Sequence, residues 1–322
     1  MVSFSSSRDA RGERSERGRG RNQSPMPTPV LPILLTVAIG YLLERWRPAD
    51  VRILATIAIY VLLPALIFNS LLTTTLTVKA ALPLVGVNFG LLLSIWLIGK
   101  GVTLVRRYDR RQESYLMMTT LFMNAGNMGM PVALYAFGDQ GLDWAVIWVL
   151  CINTVSNVIA VYYACRHIGT QTQAFRTVLA LPTIYAAAVA LSMRALHLPL
   201  PGFLGDPIQL IGRAVIPVSQ LLLGMQLAKV RAQVGDHLPQ VVLPNVIRLF
   251  VSPAIAFALV LLLGLQGLAA KIAVLMAAMP TGINMAIYAT EFDARPRLVA
   301  TAVFTSTVAS FVTLSVLLWL LH

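Results

Sequence analysis

Charge is scarce in this chain. Asp, Glu, Lys and Arg make up 12% of its 322 residues, while 57% are hydrophobic. A water-soluble protein of that length cannot cover so much apolar surface with so few charges, so a polytopic membrane protein is expected. Cysteine is nearly missing. Cys151 and Cys165 fall in one apolar stretch and at its end, which leaves neither a disulfide framework nor a zinc set. His167, His197, His237 and His322 lie in loops or at the end, without His-Glu-x-x-His spacing. No Asp or Glu stands between Asp50 and Asp109, and none of the remaining acids is near mid-span. Proton and sodium antiporters usually need an intramembrane carboxylate, and intramembrane proteolysis needs paired aspartates. Neither has candidates here, so no enzyme, no metal and no cofactor is expected.

What the chain does have is long apolar runs. Crossing a bilayer takes ~20 residues, and ten predicted spans fit, at 28–44, 52–72, 79–99, 114–138, 142–165, 176–196, 204–228, 240–264, 268–290 and 297–321. The fold class is therefore an all-α membrane protein with short connections and no inserted soluble domain. Residues 1–27 are Ser-, Gly- and Arg-rich and read as a disordered basic tail. The tail is either a surface for anionic lipid or nucleic acid, or a solvated extension upstream of a true start at Met26; the second reading is preferred. No signal peptide is read, because the first apolar run meets Glu44-Arg45-Trp46-Arg47 as a span meets an interface.

Prolines recur in order. Leu31-Pro32 and Leu181-Pro182 open spans one and six, Leu63-Pro64 and Ile216-Pro217 sit in spans two and seven, and Pro131 and Pro280 interrupt spans four and nine. The near-constant offset predicts two five-helix repeats, 28–165 and 176–322, joined by a cytoplasmic linker at 166–175. Because five is odd, the second repeat must be inverted. Arg and Lys crowd the loops after the odd-numbered spans, among them Arg45, Arg106, Arg110, Arg166, Lys229 and Arg295. By the positive-inside rule those loops are cytoplasmic, and both termini are outside.

The chemistry gathers at two interruptions. One is Asn124-Ala-Gly-Asn-Met-Gly-Met-Pro131, the other Met279-Pro-Thr-Gly-Ile-Asn284. Unwound backbone at membrane depth is tolerated only inside protein or beside a water-filled cavity, and paired interrupted spans point to a carrier's binding site. In the predicted topology the second halves of broken spans four and nine start near the midplane and face one another. Two helix starts, each with unpaired N–H groups and about half a positive charge, make an anion site without Lys or Arg. Pro131 suits the first turn of the half-helix that follows. Asn124, Asn127, Thr281 and Asn284 supply donors and acceptors, and Gly126, Gly129 and Gly282 allow close backbone approach. The alternative is that these residues are helix–helix packing devices. Asn69 and Gln220, each following a proline, are weaker candidates for the same centre, as are Asn153 and Asn157, which share a helix face. Arg248 is either a counter-charge for the substrate or a side chain snorkelling to the cytoplasmic surface.

These residues resemble motifs of the auxin efflux carrier family, which includes plant auxin carriers and bacterial carriers of malonate and malate. Asn124 to Val132 looks like its fourth-helix crossover. Ala278 to Asn284, continuing through Ala289-Thr-Glu-Phe292 and Pro296 to Thr301-Ala-Val303, resembles the ninth. Leu63 to Phe68, Ile216-Pro217 and Gly224 to Leu227 are similar to its second and seventh helices. The resemblance covers 28–321. It implies ten helices in two inverted repeats, a scaffold part and a transport part, with helices four and nine crossing at their prolines. An organic anion binds beside that crossing in an elevator-like cycle. Asn124 and Pro131 match the first crossover, and Pro280 and Gly282 the second. An acidic residue found on the third helix of plant carriers is missing here, and the short loop between spans five and six fits the bacterial members.

The functional expectation is a secondary-active permease for small mono- or dicarboxylates, such as malonate or malate, with auxin-like acids included, in the bacterial inner membrane. Expected partners are that anion and the lipid bilayer, with no nucleic acid; a homodimer is left open. A sodium-coupled organic-anion symporter of the related crossed-helix type and a non-transporting membrane sensor remain the alternatives.

Overall fold

The computed structural model describes residues 30–165, 182–230 and 234–321. The predicted tail at 1–27 and linker at 166–175 lie outside them. Among the described residues the regular structure is helical, without a strand. The helices are α1 (Val30–Trp46), α2 (Val51–Thr73), α3 (Val78–Val105), α4 (Arg110–Leu121), α5 (125–137), α6 (139–165), α7 (Pro182–Ala195), α8 (Gly202–Lys229), α9 (234–262), α10 (Gly267–Ala277), α11 (Asn284–Glu291) and α12 (Pro296–Leu321). Among the described residues, five stretches are long and apolar enough to cross a membrane: Val51–Thr73, Lys79–Val105, Gly202–Lys229, Leu238–Leu262 and Pro296–Leu321.

Local chemistry sets the boundaries. Asp50 accepts the Arg52 amide at 2.9 Å to open α2, and Thr77 accepts the Ala80 amide at 3.2 Å to open α3. Asp109 and Gln112 form a reciprocal capping box at the start of α4, with bonds of 2.7 and 3.0 Å. Between α5 and α6, Gly138 takes φ 68° and ψ −163°, a backbone state essentially confined to glycine.

Among the described residues, three helices contain a wide, π-type turn, at Ala58–Leu62, Ala125–Gly129 and Ile247–Val251. Each lies just upstream of a proline, Pro64, Pro131 or Pro253. In each, the residue before the proline (Leu63, Met130 or Ser252) sends its amide back five residues, to Ala58, Ala125 or Ile247. A proline in an α-helix lacks a donor and its ring strikes the carbonyl four residues back. An extra residue in the turn moves that carbonyl aside.

The helices pack in two groups. In one, α1 lies along Val215–Lys229, while Leu63–Thr73 packs on α7 and Gly202–Arg213. The contact is so close that a Cβ on Gly40 would overlap the Leu221 carbonyl oxygen, and one on Gly224 that of Val37. Glu44 and Lys229 close the end of this pair with an ion pair of 3.2 Å. In the other group, α3 packs on α4, on 130–165 and on Ser252–Leu262, and α12 on α4, α11 and Val234–Val246. The two groups meet where Val215–Lys229 packs on the turn Ala125–Gly129, and through a 2.5 Å hydrogen bond from Ser70 to Asp143.

Candidate functional site

Helix α4 ends at Leu121 and α10 ends at Ala277, and the two chains then run past each other antiparallel. Met123 and Thr281 pair as an isolated two-residue bridge. The Asn124 amide donates to the Pro280 carbonyl at 2.8 Å, and the Gly282 amide donates to the Phe122 carbonyl at 2.8 Å. A Cβ on Gly282 would stand 3.3 Å from the Met123 oxygen, so this position allows the two backbones to approach. The helical path resumes at Ala125 on one side and Asn284 on the other. Asn124, Pro280, Thr281 and Gly282 are therefore brought together at one point, with two helix ends and two helix starts around them.

The position of the first break differs from the sequence reading. Pro131 does not sit in the first turn after the break, because the helix already resumes at Ala125 and Pro131 follows the wide turn. That turn absorbs the proline, and the non-helical backbone moves upstream to Phe122–Asn124. Pro131 and Gly129 are buried, and a Cβ on Gly129 would meet the Met276 sulfur at 2.8 Å. Gly129 thus serves the packing of α5 against α10. Gly126 is different: it is half-buried, and nothing lies within 4 Å of an added Cβ.

Asn124 is 5% exposed. Its backbone carbonyl accepts from the Met128 and Gly129 amides, while its side-chain Nδ2 is buried without a partner. Gln220 is fully buried, and both its Nε2 and Oε1 lack partners. It lies on the segment of α8 that packs against Ala125–Gly129. Leaving a buried donor or acceptor unmade costs about 1–3 kcal/mol per group. Asn88, Ser114, Gln226, Asn245 and the Nε of Arg248 also hold such atoms; what sets Asn124 and Gln220 apart is their place, at the crossing and on the helix packed against it. Asn127 is half-buried and Asn284, opening α11, is exposed. Asn69 is half-buried on α2, where its carbonyl accepts the Thr73 hydroxyl at 2.8 Å; the hydrogen bonds that tie the crossing together run through other residues. The side chains of Asn153 and Asn157 lie outside the described residues.

Thr281 is fully buried and its hydroxyl is already engaged, donating to the Thr119 carbonyl at 2.7 Å. Its amide donates to the Ser306 hydroxyl at 3.3 Å. Thr281 holds the crossing together, in contrast to its expected part as a free side-chain donor.

Arg248 departs from the snorkelling reading. It is 0% exposed, so it does not snorkel, and its partners are two backbone carbonyls and a hydroxyl. Nη1 donates to the Thr120 carbonyl at 2.9 Å, and Nη2 donates to the Ser252 hydroxyl at 2.6 Å and to the Ala277 carbonyl. Ser252 in turn donates to Ala277 at 2.9 Å. Thr120 and Ala277 belong to the last turns of α4 and α10, whose carbonyls have no partner within their helices. The neighbouring carbonyls are also taken: Thr119 by Thr281, Val274 and Leu275 by the Ala278 amide, and Met276 by that of Met279. Sequence reasoning found the arginine but not its role. The only local signal was Ser252, one helical turn on, and the carbonyls it serves are remote in the chain.

A model of the family described as membrane transport protein matches residues 25–318. An uncharacterized transporter of Methanothermobacter thermautotrophicus is 26% identical over 297 residues, 88% of this chain and 95% of the relative. An uncharacterized transporter of Methanocaldococcus jannaschii is 24% identical over 308 residues, 91% of this chain and 97% of that one. Auxin efflux carrier component 8 of Arabidopsis thaliana is 23% identical over 145 residues, 43% of this chain and 40% of the plant protein. The match along nearly the whole chain, together with the apolar helices, makes it a multi-pass membrane transporter, a member of the membrane transport protein family to which the auxin efflux carriers belong.

Proposed function

We propose that the chain is a secondary carrier of small organic anions, mono- or dicarboxylates such as malonate or malate. The anion binds at the crossing of the two interrupted helices. The observation that carries this reading is the Asn124 amide: a buried donor without a partner, one residue before a helix start, bonded through its own backbone to the second interruption. A carboxylate placed there accepts from Nδ2 and from first-turn amides and sits at the positive end of a helix dipole. Gln220 supplies a further donor from the opposing helix group, and the open space over Gly126 gives room for the ligand.

The reading includes ten spans in two inverted repeats, and the packing supports it through matched pairs. The pair α1 with Val215–Lys229 has its counterpart in Leu63–Thr73 with α7. Likewise α3 with 130–165 corresponds to Val234–Val246 with α12, and α4 with α12 to α10 with 130–165. With Lys- and Arg-rich loops on the cytoplasmic side, both termini lie outside, and the bacterial inner membrane is the proposed location.

The test is a thermal-shift screen of the purified chain against malonate, malate, succinate, lactate and indole acetate. Flux in proteoliposomes, with and without a proton gradient and with sodium present or withdrawn, follows. Stabilisation by one acid together with its sodium-independent flux is expected. Flux that stops without sodium would favour the symporter, and binding without flux the sensor.

A further inference from the structure

The C-terminal ends of α4 and α10 present a problem that the anion site alone does not solve. Each helix end carries about half an elementary negative charge, and both converge on the crossing within a few residues of the helix starts that would hold the anion. Left bare, they would offset the positive ends and repel the ligand. In carriers with unwound helices, such carbonyls and C-terminal ends bind a mobile cation. Here they bind Arg248. One guanidinium, fully buried, reaches a last-turn carbonyl of each helix and is braced by Ser252. Its single charge matches the sum of the two half-charges. A planar guanidinium with donors in a fixed fork suits two acceptors on separate backbones, which a point-like ammonium serves less well.

We propose that Arg248 is a built-in counter-cation. It neutralises the two helix ends that enter the crossing, holds them at a fixed spacing, and leaves the crossing with the net positive field of the helix starts, so that the site takes anions without a bound metal cation. Arg248 is a positioning residue in this account and does not touch the substrate. The anion part rests on the carrier reading above; the cation part does not.

The experiment uses the full chain in detergent as wild type, Arg248→Lys, Arg248→Met and Arg248→Ala, with malonate as the anion probe. Arg248→Lys keeps the charge and is expected to fold and to bind malonate within about fivefold of wild type. Arg248→Met keeps much of the apolar stem and loses the charge; a loss of tenfold or more is expected. Millimolar guanidinium chloride should raise the unfolding temperature of Arg248→Ala and leave wild type unmoved, with sodium chloride at equal ionic strength as the control. Parity of the Lys and Met variants in folding and affinity, or a guanidinium response no greater in Arg248→Ala than in wild type, would overturn the proposal. If Arg248→Ala does not fold, the Lys and Met pair decides, a folded Lys variant beside an unfolded Met variant counting in its favour. Should wild type ignore malonate while Arg248→Ala still responds to guanidinium, the built-in cation stands and the choice of anion falls.

Discussion

At the scale of single residues, the crossing separates polar groups that are spent from those that are free. Thr281, Ser252 and the two terminal nitrogens of Arg248 are used on helix-end carbonyls, whereas the amide nitrogen of Asn124, both amide atoms of Gln220 and the Arg248 Nε are unspent. Stability and function should therefore part company at Gln220. Replacing it with Leu removes two unmade groups worth about 1–3 kcal/mol each. Gln220→Leu is expected to melt at or above the wild-type temperature while binding its anion several-fold more weakly, as thermal shift and radioligand binding would show. Asn124→Ala is expected to weaken binding tenfold or more, a loss near 1.4 kcal/mol or above, with the fold retained because the bonds to Pro280, Met128 and Gly129 are made by its backbone. Unchanged affinity would remove Asn124 from the site. Asn124, Pro280 and Gly282 were legible in the sequence because a polar amide, a ring without a donor and a residue without a side chain all stand out within an apolar run. The spent state of Thr281 was not, since its acceptor lies far away in the chain.

At the scale of helices, existence and rough extent could be read from apolar run lengths, and the interruptions from their prolines. The seat of the first break could not, because a proline can be accommodated by a wide turn as well as by a gap. This changes what Pro131→Ala should do. The gap at Phe122–Asn124 is held by hydrogen bonds to Pro280 and Gly282, so the variant is expected to keep its anion affinity within about threefold, checked by the same binding assay. A stronger effect belongs to Gly224. An added methyl there would overlap the Val37 carbonyl, and overpacking of this kind costs about 1–3 kcal/mol. Gly224→Ala is expected to lower the unfolding temperature by several degrees, with a matching loss for Gly40→Ala.

At the scale of the whole molecule, the two packed groups meet at the wide turn ahead of Pro131 and at the Ser70–Asp143 bond. Composition alone announced a membrane protein, and the repeated prolines suggested duplication. How the groups share their helices was hidden, because apolar faces that pack on neighbours and those that meet lipid have the same composition. Orientation has a direct check. Single cysteines in a Cys151→Ala, Cys165→Ala background, placed at Arg107 and at His197, are expected to label from opposite sides of the membrane, with Arg107 reached only from the cytoplasm. The prolines of the two proposed repeats sit in different local structures. Pro64 and Pro131 are met by wide turns, whereas Pro217 follows a joint at Ala214 and Pro280 lies in the gap itself. One surplus residue in a turn advances everything downstream by about 100° around the axis. A chimera that transplanted one half's proline segment into the other would point its inward-facing side chains toward the lipid, unless a single residue were added or deleted along with it.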